Sequence, residues 1–98
     1  MAEVDELTVA FEDNGQEVVK ELDKEILSKG SWTTIAFLYQ DWDNKVDGFG
    51  KHKMTLRRYQ KQQGNYRQKS KFNISSIKQA RKIHEVLTRW LEKYGGDE

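Results

Sequence analysis

The stretch from residue 32 to 42, Trp-Thr-Thr-Ile-Ala-Phe-Leu-Tyr-Gln-Asp-Trp, most constrains what this chain can fold into. Its β-branched and aromatic residues suit a pleated strand. Successive side chains of a strand point to opposite sides. Here both sides carry apolar groups, which places the strand centrally in a sheet.

Two further runs downstream alternate in the same way. Residues 53–61 put Met54 and Leu56 on one side and Lys53, Thr55, Arg57, Tyr59 and Lys61 on the other. Gln62-Gln63-Gly64-Asn65 reads as a turn. Residues 66–74 then place Tyr66, Gln68, Ser70, Phe72 and Ile74 on one side and Arg67, Lys69, Lys71 and Asn73 on the other. The pair predicts a hairpin with one largely apolar face and one strongly basic face. Like charges opposed across strands destabilise the pairing, and a ligand carrying phosphates relieves that repulsion.

The chain closes with an amphipathic helix. Ser76 and Gln79 have capping-box spacing, with Ser75 as an alternative cap. Ile77, Ala80, Ile83, Leu87, Trp90, Leu91 and Tyr94 recur at helical intervals, and Gly95-Gly96 ends the run. Such a helix should pack on the apolar face of the sheet and leave the basic face open. Ile83, Leu87, Trp90, Leu91 and Tyr94 are thus expected in the core or in a dimer interface.

The first third is harder to read. Val18, Val19, Leu22, Ile26 and Leu27 recur with helical spacing before Gly30, but Gly30-Ser31 also fits a hairpin turn ahead of the central strand. Local pattern favours helix slightly. Residues 1–16 are acidic and end in the turn signal Asp13-Asn14-Gly15, so they read as a loosely ordered segment or a short peripheral strand. Residues 17–95 then form one sheet-plus-helix domain, and residues 96–98 a tail.

With 98 residues and no cysteine, the chain has neither disulfides nor thiolate metal sites to support a thin core. Dimerisation is one way to bury more apolar surface. No window approaches a membrane span and residues 1–5 lack a basic signal-peptide start, so the expectation is a cytoplasmic protein. The net charge of +1 conceals a sharp division. Residues 1–50 hold four lysines and twelve acids, net −8, whereas residues 51–98 hold thirteen basic residues and four acids, net +9. Between residues 51 and 82 there are eleven basic residues and no acid. A charge run is often only a solvated surface, but an acid-free stretch of this length points to a polyanion-facing half.

The order of these elements, with Leu56-Arg57-Arg58-Tyr59, the Gly64 turn and Lys69-Ser70-Lys71-Phe72-Asn73-Ile74-Ser75-Ser76 leading into the helix, resembles the positive cofactor four family. Its members are single-stranded-DNA-binding transcription coactivators with bacterial relatives. The resemblance covers residues 18–94. It implies an α+β fold in which a four-stranded curved antiparallel sheet is followed by one C-terminal helix, and two copies pair into a homodimer. It also makes residues 18–28 the first strand. Arg57 and Tyr59 resemble the family's basic-aromatic strand element and Lys69 and Lys71 its following basic segment, while Trp42 or Tyr39 stands where the family has a stacking aromatic. The acidic N-terminal segment departs from the Ser/Lys-rich regulatory tail of eukaryotic members.

The expected ligand is therefore single-stranded DNA or RNA. Lys53, Arg57, Lys61, Arg67, Lys69 and Lys71 would meet phosphates, making affinity salt-dependent. Tyr59, with Tyr39, Trp42 or Phe49, would stack on bases at about 1–3 kcal/mol each. The plainer alternative makes Tyr59 a strand tyrosine packed across the sheet, and Trp42 and Phe49 loop packing. A rival function is an adaptor whose basic face docks an acidic component of the transcription machinery.

Other chemistry is weakly supported. A calcium loop starting at Asp43 would place Gly48 correctly, but Lys45 falls at a ligand position and Met54 at the closing one. Gly48-Phe49-Gly50 lacks the rest of a nucleotide fingerprint. His52 and His84 are the only histidines, and the acids show no catalytic spacing. No enzyme, metal or cofactor is expected.

Overall fold

The computed structural model describes residues 4–96, so residues 1–3 of the expected acidic segment and residues 97–98 of the expected tail lie outside it. The protein is α+β: a curled antiparallel sheet followed by one helix. The strands are β1 (Phe11–Asp13), β2 (Gln16–Ser28), β3 (Trp32–Asp43), β4 (Gly48–Phe49), β5 (Lys53–Gln62) and β6 (Asn65–Ile74), and the helix is α1 (Ile77–Tyr94). They run in the order β1-β2-β3-β5-β6, with the short β4 folded back on the end of β3. The sheet thus has six strands where four were expected; β1 is the short peripheral strand that residues 1–16 allowed for, and β4 was not anticipated. No helix among the described residues is long and apolar enough to cross a membrane.

Residues 17–29, which local pattern assigned to a helix, are strand β2. The reason is visible in the pairing with β3, where the register shifts at Leu22 and again at Leu27. Each bulge inserts one residue and breaks the two-residue alternation. Val19 and Ile26 are seven residues apart, which imitates two helical turns, yet both lie on one face of the sheet. Tight turns join the strands where left-handed backbone is available. Asn14 and Gly15 (φ 52° and 81°) link β1 to β2, and Gln63 and Gly64 (φ 53° and 79°) link β5 to β6.

The main core cluster lies on one face, and on the other only Ile74 is buried among the described residues. From β3 the first face receives Thr33, Ile35, Phe37 and Tyr39, and from β5 Thr55 and Tyr59, all buried. Ile35 is 0% exposed. The cover comes from the N-terminal segment. Val4, in a short 3-10 turn (Val4–Glu6), and Val9 are buried against this cluster, with Leu7 partly buried beside them. The ammonium of Lys24 donates to the carbonyls of Asp5 (2.8 Å) and Leu7 (2.7 Å), and the Thr8 hydroxyl donates to the Glu21 carboxylate (2.5 Å). The segment read as loose or peripheral is therefore part of the core.

The opposite face carries Ala36 and Leu38 of β3, Met54 and Leu56 of β5, and Phe72 and Ile74 of β6. The helix, expected to cover this face, does not. None of its residues is buried, and Leu87, Trp90, Leu91 and Tyr94 are all exposed. Its start is well determined: the Ser76 hydroxyl accepts from Gln79 N–H (3.1 Å), and the Gln79 side chain accepts from Ser75 N–H (3.2 Å). The molecule is consequently thin, 49 × 39 × 17 Å.

Candidate nucleic-acid interface

The β5–β6 hairpin carries seven of the seventeen lysines and arginines, and its register decides where they point. Arg57 pairs with Lys71 and Thr55 with Asn73, so these share the covered face. A bulge follows, shifting the register between Arg58 and Tyr59 and leaving Lys69 as the extra residue. Beyond it the alternation reverses. Tyr59 pairs with Gln68 and Lys61 with Tyr66, which brings Gln68 and Tyr66 to the covered side. Arg67, opposite Gln60, moves to the open side with Arg58. The expected grouping of Arg67 with Lys69 and Lys71, and of Tyr66 and Gln68 with Phe72, is corrected accordingly.

What remains on the covered side, past the rim of the N-terminal segment, is a basic track. Lys53, Arg57 and Lys61 follow one another on β5, with Lys71 beside Arg57. These three β5 residues lie four apart along the strand, a spacing of roughly 13 Å. Arg57 is oriented by the Gln68 side chain, to which it donates at 3.0 Å, and the ammonium of Lys61 lies 5.7 Å from the centroid of Tyr66. On the open side, the Arg58 guanidinium stacks 4.1 Å from the Trp32 ring centroid.

The ion pairs are few. Among the described residues only Lys53–Asp41 (2.9 Å) and Lys82–Glu85 (3.6 Å) lie within salt-bridge distance. Arg57, Arg58, Lys61, Arg67, Lys69 and Lys71 therefore have no carboxylate partner among those residues. Lys53 is held above its ordinary pKa by its hydrogen bond to Asp41, against an opposing burial effect. Its charge is thus already partly neutralised.

Two expected stacking groups are placed elsewhere. Tyr59 is 5% exposed and Tyr39 8%, both within the core beneath the N-terminal segment. Burial raises the pKa of the Tyr59 phenol. Neither ring is accessible to a base, so the plainer reading of Tyr59 as a packed strand tyrosine is the correct one. Trp42 lies outside that core, on the half-buried end of β3, where it meets Phe49 edge-on with centroids 5.4 Å apart. Its indole N–H donates to Asn44 (2.9 Å). It helps line a cleft of about 600 Å³ together with Asp41, Lys45, Lys51, Lys53 and Ser75. The polar loop after Trp42 is thus a tight β3–β4 reversal, and the Asp43 carboxylate accepts from Lys45 N–H (2.9 Å) to close it.

Sequence reasoning overlooked Tyr66 as a partner of Lys61, and Lys45 and Lys51 as neighbours of Trp42. The first depends on the bulge at Lys69, which no residue type announces. The second was legible in part, since three lysines flank the glycines around Phe49. No family model matches the chain, and neither a curated protein nor a solved structure does.

Proposed function

We propose that this chain binds single-stranded nucleic acid with little sequence preference, as a homodimer, along the β5–β6 hairpin. The observation that carries this reading is the set of hairpin cations, Arg57, Lys61, Arg67, Lys69 and Lys71, that lack carboxylate partners among the described residues. Phosphates supply what those cations lack, and release of counterions drives the association. Trp42 in its lysine-lined cleft and Tyr66 beside Lys61 take the stacking role first expected of Tyr39 and Tyr59. The resemblance to the positive cofactor four family agrees with this reading and adds transcription regulation as its setting.

The burial of Tyr39 and Tyr59 favours a second reading, an adaptor whose basic hairpin docks an acidic protein of the transcription machinery, because it removes two groups that only a nucleic acid would use. Titration of labelled oligo-dT, its RNA counterpart and a matched duplex by fluorescence anisotropy at several salt concentrations separates the two. The nucleic-acid reading expects single-strand binding with a steep salt slope, quenching of tryptophan fluorescence, and at least tenfold weakening by Lys69→Ala/Lys71→Ala. Absence of binding to all three at low salt overturns it in favour of the adaptor. The ratio of DNA to RNA affinity assigns the natural ligand.

A further inference from the structure

The cleft beside Trp42 lies where the basic track stops. Lys61, Arg57 and Lys53 follow one another down β5, and Lys53, the first residue of that strand, also lines the cleft. The β3–β4 reversal forms its wall. Trp42 pairs with Phe49 and Asp43 with Gly48. The Gly50 N–H donates to the Asp41 carbonyl (2.9 Å), and the Gln40 side chain donates to the Gly50 carbonyl (2.9 Å). The wall is thus main chain fastened back onto β3. Ser75, just past β6, completes the lining. The volume of about 600 Å³ falls within the roughly 300–1,000 Å³ of small-ligand sites.

The lining divides into the parts that a nucleotide needs. The indole N–H of Trp42 is spent on Asn44 (2.9 Å), so what the half-buried ring has left to offer is its surface. Both carboxylates are engaged: Asp41 accepts from the Lys53 ammonium (2.9 Å) and Asp43 from the Lys45 main-chain N–H (2.9 Å). A carboxylate accepts several hydrogen bonds, so Asp43 keeps capacity for the amino or hydroxyl donors of a nucleotide. The ammoniums of Lys45 and Lys51 have no carboxylate within salt-bridge distance among the described residues. An internal phosphodiester carries one negative charge, whereas a phosphate monoester carries about 1.5 to 2 at neutral pH. Two such ammoniums at the end of the track suit the monoester. We propose that the cleft takes the terminal nucleotide of a single strand, with its base on Trp42 and its phosphate monoester on Lys45 and Lys51. The proposal rests on the single-strand reading for the track that leads to the cleft, and not for the cleft itself.

The test compares oligo-dT strands of one length that end in a 5′-phosphate, a 3′-phosphate or only hydroxyls, each competing with a labelled hydroxyl-ended strand for the full chain. A phosphorylated end should bind at least fivefold more tightly than hydroxyls, and the end that gives the gain assigns the direction of the strand along β5. Lys45→Gln/Lys51→Gln should abolish the gain and Lys45→Arg/Lys51→Arg should keep it, a pattern that a folding defect would not produce. Equal affinity for all strands in the parent chain would overturn the proposal. A second measurement does not depend on the hairpin. Thymidine monophosphate is titrated into isotope-labelled chain, with thymidine and inorganic phosphate as controls. The indole N–H signal of Trp42, identified by its loss in Trp42→Phe, should shift more with the monophosphate than with either control. No shift, or an equal shift with inorganic phosphate, would overturn the proposal. The two readings fail separately. If no strand binds while the monophosphate still shifts Trp42, the hairpin reading falls and the cleft stands. If strands bind whatever their ends, the hairpin reading stands and the cleft proposal falls.

Discussion

The two faces of the sheet are made by the same strands, and β3 supplies apolar residues to both, yet they have different fates. Ile35, Phe37 and Tyr39 point to a face that the chain itself seals with Val4, Leu7 and Val9. Ala36 and Leu38, their immediate neighbours, point to a face where a cleft remains. Apolar character therefore does not decide which side of a strand becomes core. What decides it is which side another segment can reach. The N-terminal segment returns from β1 over the covered face, fastened by Lys24 and Glu21, whereas α1 departs from the end of β6 without returning.

The largest expected effect comes from cutting into the sealed side. Phe37→Ala should cost about 3–5 kcal/mol, since it opens a cavity where nothing can collapse. Leu38→Ala, one residue away on the open face, should cost less. Urea unfolding of the two variants would sharpen the contrast, and equal penalties would break it.

A smaller effect should follow from lifting the seal. Val9→Asp places a charge where an apolar side chain is buried, and should destabilise by about 2–3 kcal/mol. The covered face would then bind the dye anilinonaphthalene sulfonate, as exposed apolar surface does. Stability and dye binding unchanged from the parent would show that the segment does not seal the core.

The smallest effect concerns pH. Burial raises the Tyr59 phenol above the ordinary value of 10.0, with Glu21 adding to the shift and Arg57 opposing it. The folded state therefore holds this proton more tightly than the unfolded state. Its contribution is fully present below pH 10 and is lost as pH rises through the folded pKa. The urea midpoint should fall in that alkaline window, and Tyr59→Phe should flatten the fall. An identical alkaline slope in the variant would place Tyr59 outside the sealed face.

Much of the architecture was legible in local chemistry. The aromatic and β-branched run announced β3, alternation announced β5 and β6, Gly15 and Gly64 marked the two tight turns, and the Ser76–Gln79 pair marked the helix start. Parity was not legible. Bulges at Leu22, Leu27 and Lys69 each change which side the following residues face, and none carries a glycine. The helical reading of β2 and the misplacement of Arg67 and Tyr66 have this one cause. The burial of Tyr39 and Tyr59 was hidden for another reason. Their cover comes from residues about 30 to 55 positions away, and local periodicity holds no record of so distant a contact.

That distance also bears on the order of events during synthesis. The segment with Val4 and Val9 leaves the ribosome well before β5, yet its resting place includes Tyr59. Until β5 has emerged the segment has no completed surface to occupy, and contacts of such long range form slowly. Its acidic composition keeps it hydrated in the interval. The core is thus closed by a segment made well before the surface it covers, and slowing translation over residues 50–60 should delay burial of the tyrosines while leaving the β2–β3 hairpin free to form.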